Sequence, residues 1–434
     1  MMGAMIPAAI FWIFLVEMIS SPVATRAFTT AAPSTLPTAV SVARTTNVTE
    51  AADPLSFLDV VVDVGDGWDR LANTLDIEET SIYFFHLNAG VMSGCEVNMN
   101  IRGSYNADVF RRSTAHTGTD TLSRDFIQPV NAGLTIKVTN EYLSKLFSDS
   151  GRQTSFTAFD LQHFLSSSNQ KIFSVARQTG YTTYGELPFD DVLVDTGGDW
   201  TGSRYTIRKA GLYFFTLSCG VTATNSIRAQ VVSATNGVLA EIWRGSTSNN
   251  GEDTLNNVVM ADLVEGDYVY INYISGELYS DGERQTSFAG FQYTPVEGNH
   301  HAWSVFRNSS YDVGVDPVDP LPFDGSSVNT DLYSFDDHQV HITQSGLYYV
   351  SLNVGIKASG TLEAYISRGT SRTEAQISRS STVHNGEDSM GQGLLLELSS
   401  GDVLKVILGS QSRLFSDNDK QTIFNGLLLY PYPN

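Results

Sequence analysis

The stretch Leu278-Tyr279-Ser280-Asp281-Gly282-Glu283-Arg284-Gln285-Thr286-Ser287-Phe288-Ala289-Gly290-Phe291 occurs in three versions. Upstream the chain reads Leu146-Phe147-Ser148-Asp149-Ser150-Gly151-Arg152-Gln153-Thr154-Ser155-Phe156-Thr157-Ala158-Phe159. Near the C-terminus it reads Leu414-Phe415-Ser416-Asp417-Asn418-Asp419-Lys420-Gln421-Thr422-Ile423-Phe424-Asn425-Gly426-Leu427. Phe156, Phe288 and Phe424 therefore share one register, 132 and 136 residues apart. A period of that size is a domain, not a solenoid turn. The chain reads as one module written three times.

Working outward, other signals keep the same order. Leu55-Ser56-Phe57, Leu187-Pro188-Phe189 and Leu321-Pro322-Phe323 correspond. An aromatic run follows: Ile82-Tyr83-Phe84-Phe85, Leu212-Tyr213-Phe214-Phe215 and Leu347-Tyr348-Tyr349-Val350. In a strand, alternation places Tyr213, Phe215 and Leu217 on one face and Leu212 and Phe214 on the other. Both faces are apolar, whereas a half-solvated antiparallel strand is polar on one. A second layer must cover the outer face. Gly251-Glu252-Asp253-Thr254-Leu255 and Gly386-Glu387-Asp388-Ser389-Met390 answer Gly118-Thr119-Asp120-Thr121-Leu122. Glycine- and aspartate-punctuated, β-rich runs of this kind predict an all-β fold.

The chain has 434 residues, 17% charged, with 23 Phe and 19 Tyr, a globular composition long enough for three cores. A net charge of −21 excludes the basic face that nucleic acid or an anionic membrane requires. Ala4 to Val16 is an apolar run, too short to span a bilayer and suited to a signal peptide, with cleavage expected at Ala27. An uncleaved interfacial anchor is the alternative. Residues 28–51, rich in Thr, Ser and Pro, read as an exposed linker. Asn47 and Asn308 open glycosylation sequons. Cys95 and Cys219 lie at different registers, and read as separate thiols or one inter-module bridge.

Each module resembles the C1q-like globular domain of the C1q/tumour-necrosis-factor superfamily. Phe173-Ser174-Val175, Gly211-Leu212-Tyr213-Phe214-Phe215, Gly266-Asp267 and Ser287-Phe288-Ala289-Gly290-Phe291-Gln292-Tyr293 carry the likeness in the middle copy. Trp303-Ser304-Val305, Gly346-Leu347-Tyr348-Tyr349, Gly401-Asp402 and Phe424-Asn425-Gly426-Leu427 carry it in the third. The first copy shows no evident first strand, and Ser81 replaces the glycine. The resemblance implies three tandem ten-stranded jelly-roll β-sandwiches: 52–164, 170–295 and 301–434. It also implies trimers packed through aromatic faces, and here one chain is expected to form its own pseudo-trimer. The linkers Gln162–Gln170 and Val296–His300 reach at most ~35 Å. Three separate beads, each trimerising with other chains, are the rival arrangement.

No catalytic motif is present: His-Glu-x-x-His, Gly-x-Ser-x-Gly and the P-loop are absent. The protein is read as no enzyme. Asp120, Asp253 and Asp388 align with a calcium-binding aspartate of some relatives. The second acidic residue those relatives place eight positions earlier is replaced by Arg112, Gly245 and Ser380. Calcium or an Asx-type turn are the two readings of this trio. His116 and His384 share a register with Asn249, explained by loop polarity. Arg152, Arg284 and Lys420 recur before the closing strand, as edge-covering charges or ligand-facing cations. The expected function is a secreted recognition protein for protein, glycan or microbial-surface ligands. An acidic extracellular-matrix or biomineral-associated glycoprotein is the alternative.

Overall fold

The computed structural model describes residues 37–102, 106–112, 114–141, 144–165, 170–295, 300–370, 372–380 and 382–433. The expected signal peptide and Ala27 lie outside them. Apart from one helical turn, Leu161–Phe164, the described elements are strands. They fall along the chain into three blocks: 39–165, 172–292 and 302–431.

The same five-strand order recurs in each block. In the first it is Asp59–Val64, Ala39–Ala43, Ser155–Asp160, Ser81–Val91, Asp120–Val130. In the second it is Asp191–Asp195, Ile172–Ala176, Ser287–Gln292, Gly211–Val221, Asp253–Leu263. In the third it is Gly325–Asn329, Ala302–Phe306, Ile423–Pro431, Gly346–Ile356, Asp388–Leu398. A second layer of antiparallel strands faces each sheet, such as Tyr268–Gly276, Ile227–Ser233 and Gly237–Arg244 in the second block.

The two faces of the aromatic strand have different neighbours. Tyr213, Phe215 and Leu217 pack into the second block's own core. Leu212 and Phe214 enter a separate cluster containing Phe84, Phe159 and Leu161 of the first block and Leu347, Tyr349 and Leu427 of the third. At its centre the rings of Phe84, Phe214 and Tyr349 lie 5.1–5.9 Å apart. Edge-to-face rings at such separations are favourable beyond their buried area. The apolar second face is thus covered by the other two blocks.

The first block begins earlier than its composition suggests. Ala39–Ala43 lies inside the stretch expected to be an exposed linker, yet it is buried and pairs with both Ser155–Asp160 and Asp59–Val64. The physical reason is that Ala39-Val40-Ser41-Val42-Ala43 is a complete β run within polar surroundings. Arg44, which follows it, is buried and donates to the Ser56 carbonyl. Arg177 and Arg307 do the same to Pro188 and Pro322. The expected connection after Phe159 is also partly folded: Asp160 caps Leu161–Phe164, and Leu161 and Phe164 join the shared cluster.

Candidate binding surface

Asp120, Asp253 and Asp388 stand at the first residue of equivalent strands, where the three blocks meet. All three are fully buried. What faces them is arginine. Nine residues before each aspartate the chain has Arg111, Arg244 and Arg379, also fully buried. Arg111 donates to Asp120 of its own block (2.6 Å) and to Asp253 of the second (2.8 Å). Arg379 donates to Asp388 (2.6 Å) and across to Asp120 (3.1 Å). Arg244 sits 3.4 Å from Asp253. Each carboxylate also accepts the next backbone N–H, at 2.9–3.0 Å.

Arginine side chains face the trio to which the calcium reading is attached. A calcium ion needs six to eight oxygens, and these oxygens are taken by three guanidinium groups of the opposite task. Burial alone would push Asp120 up, but Arg111, Arg379 and His384 together hold it well below the carboxylate range. Asp388 is likewise held down against burial, by Arg379 and Arg244. The Asx-type bond is present, but the arginines dominate the site.

The blocks are joined in cyclic fashion just outside this ring. Arg112 N–H donates to the Glu252 carbonyl (2.9 Å), Gly245 to Glu387 (2.8 Å), and Ser380 to Thr119 (3.0 Å). Phe110 packs on Tyr279 at 5.5 Å and Trp243 on Phe415 at 5.0 Å. Ser378 occupies the corresponding register in the third block.

The opening motif also works at these seams. Asp149, Asp281 and Asp417 accept N–H groups two residues on (2.7–2.8 Å), which is turn chemistry. Buried Gln153, Gln285 and Gln421 each donate to that aspartate and also across a seam, to Gln376, Asp108 and Glu241 respectively. Arg152, Arg284 and Lys420 hold left-handed backbone, with φ of 56°, 60° and 59°. Arg152 reaches Glu374 of the third block (3.3 Å), and Lys420 reaches the Val238 carbonyl (2.9 Å). Arg284 pairs with Asp191 of its own block (2.5 Å). These cations are bound within the protein. Glu241, Asp417 and Asp419 come together closely enough to suggest a cation site. Arg228 already bridges Glu241 (2.7 Å) and Asp419 (2.6 Å).

His116 and His384 are buried beside the arginine–aspartate ring. Burial pushes the His384 imidazole down to about 3, with Arg379 adding to the effect. Cys95 and Cys219 are free thiols, the second sealed in the core of its block. Asn47 and Asn308 are both exposed, and the Asn47 side-chain oxygen accepts from Ser148 N–H (2.9 Å). Open concavities lie on the first block. One of ≈ 770 Å³ is lined by Thr49, Glu50, Cys95, Glu96 and Lys145. Another of ≈ 600 Å³ is lined by Asp53, Arg102, Lys137 and Glu141. Among the described residues no helix is long and apolar enough to cross a membrane.

Residues 172–292 match the family model described as C1q domain. Among solved structures, the chain is similar to the globular domain of zebrafish complement 1qA protein. That match is 19% identical and covers 29% of this chain and 98% of that one, with a TM-score of 0.25. It is also similar to a protein with the triple jelly roll fold from an archaeal virus turret assembly, at 10% identity over 90% of both chains and a TM-score of 0.18. A chain of the lipid-containing bacteriophage PM2 is 8% identical, with 83% of this chain and 99% of that one covered and a TM-score of 0.14. No curated protein matches. Over residues 172–292, then, the chain is C1q-like.

Proposed function

We propose that this protein is a secreted, non-enzymatic recognition protein built from three C1q-like modules, at 39–165, 170–295 and 301–434, closed into one head. The observation that carries the reading is the C1q domain match over residues 172–292, whose strand order recurs in the blocks on either side. The shared cluster of Phe84, Phe214 and Tyr349 supports closure within one chain. The recurrent charged residues are bonded within the protein, so recognition falls to the outer loops and sheet faces. The ligand classes are protein, glycan or microbial surface. The test is binding of the recombinant full chain to arrays of all three. Saturable binding without turnover of the ligand supports the reading, and silence on every array counts against it.

An acidic matrix or mineral-associated role is a second reading, favoured by the −21 charge. Its mark is adsorption to calcium mineral and recovery from insoluble matrix.

A further inference from the structure

One layer of the shared interior is not threefold. His86 and Asp125 lie opposite each other in the first block, and their positions are taken by Thr216 and Val258 in the second and Ser351 and Gly393 in the third. Both are buried, and His86 Nδ1 bonds to the Asp125 carboxylate. Asp125 also accepts from Thr216 Oγ1 (2.8 Å) and Asn256 Nδ2 (2.9 Å) of the second block. His86 Nε2 accepts the backbone N–H of Gly393 from the third block, at 2.7 Å. The Tyr349 hydroxyl stands next to Gly393 and Asp125. Asp125 is thus the charged group against the ring.

That geometry fixes the tautomer: the proton is on Nδ1 and the lone pair on Nε2. A second proton, on Nε2, is favoured by the Asp125 carboxylate but sets two N–H groups against each other at Gly393. It therefore leaves the contacts to the second block intact and breaks the one to the third.

The three seams also differ in what meets the motif's glutamine. Gln285 meets buried Asp108 at the first–second seam, and Gln421 meets buried Glu241 at the second–third. At the third–first seam Gln153 meets the neutral amide of Gln376 (2.8 Å), and the buried carboxylate nearby, Glu374, is held by Arg152, Arg368 and Arg372. Asp108 faces Arg124, Glu283 and Asp281, and Glu241 faces Arg228 with Asp417 and Asp419 nearby. Burial pushes Asp108 up to about 6 and raises Glu241. A carboxyl raised in the closed state takes up its proton there more readily than in the open state. Acid therefore favours closure at those two seams.

We propose that the seam between the third and first modules is an acid-actuated opening, in which protonation of His86 releases Gly393 while the other two seams stay closed. The inference rests on the closed-head reading above. Opening would uncover Tyr349 and Phe84 at one edge and leave a hinged chain of three modules.

The test is hydrogen exchange by mass spectrometry on the full chain at pH 7.5 and 5, corrected for intrinsic rates. The amides of Gln376, Ser378, Ser380 and Gly393 all donate from the third block to the first and report that seam. Those of Arg112 and Gly245 report the other two. The expected result is a loss of protection at the third–first seam between pH 7.5 and 5, of up to about tenfold per pH unit, as one proton per opening requires. Arg112 and Gly245 should keep theirs. His384 of the third block also lies at this seam, 3.8 Å from Asp120, so the comparison is made in a His384→Asn background, where H86Q should remove the acid response that remains. Q376E, which gives Gln153 the acid partner that Gln285 and Gln421 have, should move opening to lower pH, and serves if H86Q does not fold. Equal loss at all three seams, or no loss at pH 5, overturns the proposal. Absence of protection at every seam already at pH 7.5 overturns the closed head instead.

Discussion

Arg111→Met removes a guanidinium that serves two carboxylates in different blocks while keeping the apolar stem. Asp120 retains Arg379 at 3.1 Å, but Asp253 is left with Arg244 at 3.4 Å and its own backbone bond. The cost therefore concentrates on Asp253, a carboxylate with no exposure to water. Leaving one partner of a buried ion pair uncompensated costs ~3–5 kcal/mol. Adding Asp253→Asn to Arg111→Met removes the stranded charge, so the double variant should recover part of the loss. A coupling of roughly 1–3 kcal/mol is expected for groups in direct contact. The assay is urea unfolding of the four full-length proteins, followed by tryptophan fluorescence and by circular dichroism. A single Arg111→Met cost within about 0.5 kcal/mol of zero, or strict additivity in the cycle, would refute the account of the ring. Rescue of the wild type or of Arg111→Met by calcium would refute it more directly.

Other outcomes follow from the same contacts. Phe214→Ala empties the centre of the shared cluster and should cost ~3–5 kcal/mol, against less than about 0.5 for Leu71→Ala at a site 96% exposed; denaturant midpoints separate them. Millimolar calcium should leave the melting temperature of the wild type unchanged, since arginines already bond Asp120, Asp253 and Asp388; an upward shift would contradict this. His384 is neutral when buried, at about 3, and titrates near 6.5 when released, so its contribution is complete above that value and is lost as pH falls. At pH 5 the loss is ~2 kcal/mol, and His384→Asn, the residue the second block has in register, should remove that acid limb in paired titrations at pH 7 and 5. Equal pH slopes for the two proteins would count against the assignment.

The repeat was legible because Phe156, Phe288 and Phe424 hold one register and because the aromatic strand is apolar on both faces. Alternation alone assigned Tyr213 and Phe215 to one side and Phe214 to the other, as the structure has them. The first strand was missed although its signal is present. Ser41-Val42-Ala43-Arg44 matches Ser174-Val175-Ala176-Arg177 and Ser304-Val305-Phe306-Arg307, but the Thr-, Ser- and Pro-rich surroundings masked a five-residue run. The arginines nine positions before the aspartates were equally visible and went unread. A carboxylate trio looks the same in sequence whether a cation or a guanidinium faces it, and the choice depends on which strands the seams bring together. Gln153, Gln285 and Gln421 stood in the opening motif itself. Their partners, Gln376, Asp108 and Glu241, lie 177 or more residues away in other blocks, beyond any local pattern.

Closure of the three blocks on one another within a single chain underlies the seams, the ring and the acid response alike. Light scattering coupled to size exclusion, with small-angle X-ray scattering on the same peak, measures it directly. The account predicts a mass near that of one chain, 47.4 kDa before any processing or glycan, and a radius of gyration of about 22 Å. A threefold mass, or one chain's mass with the extended profile of separate beads, would contradict it.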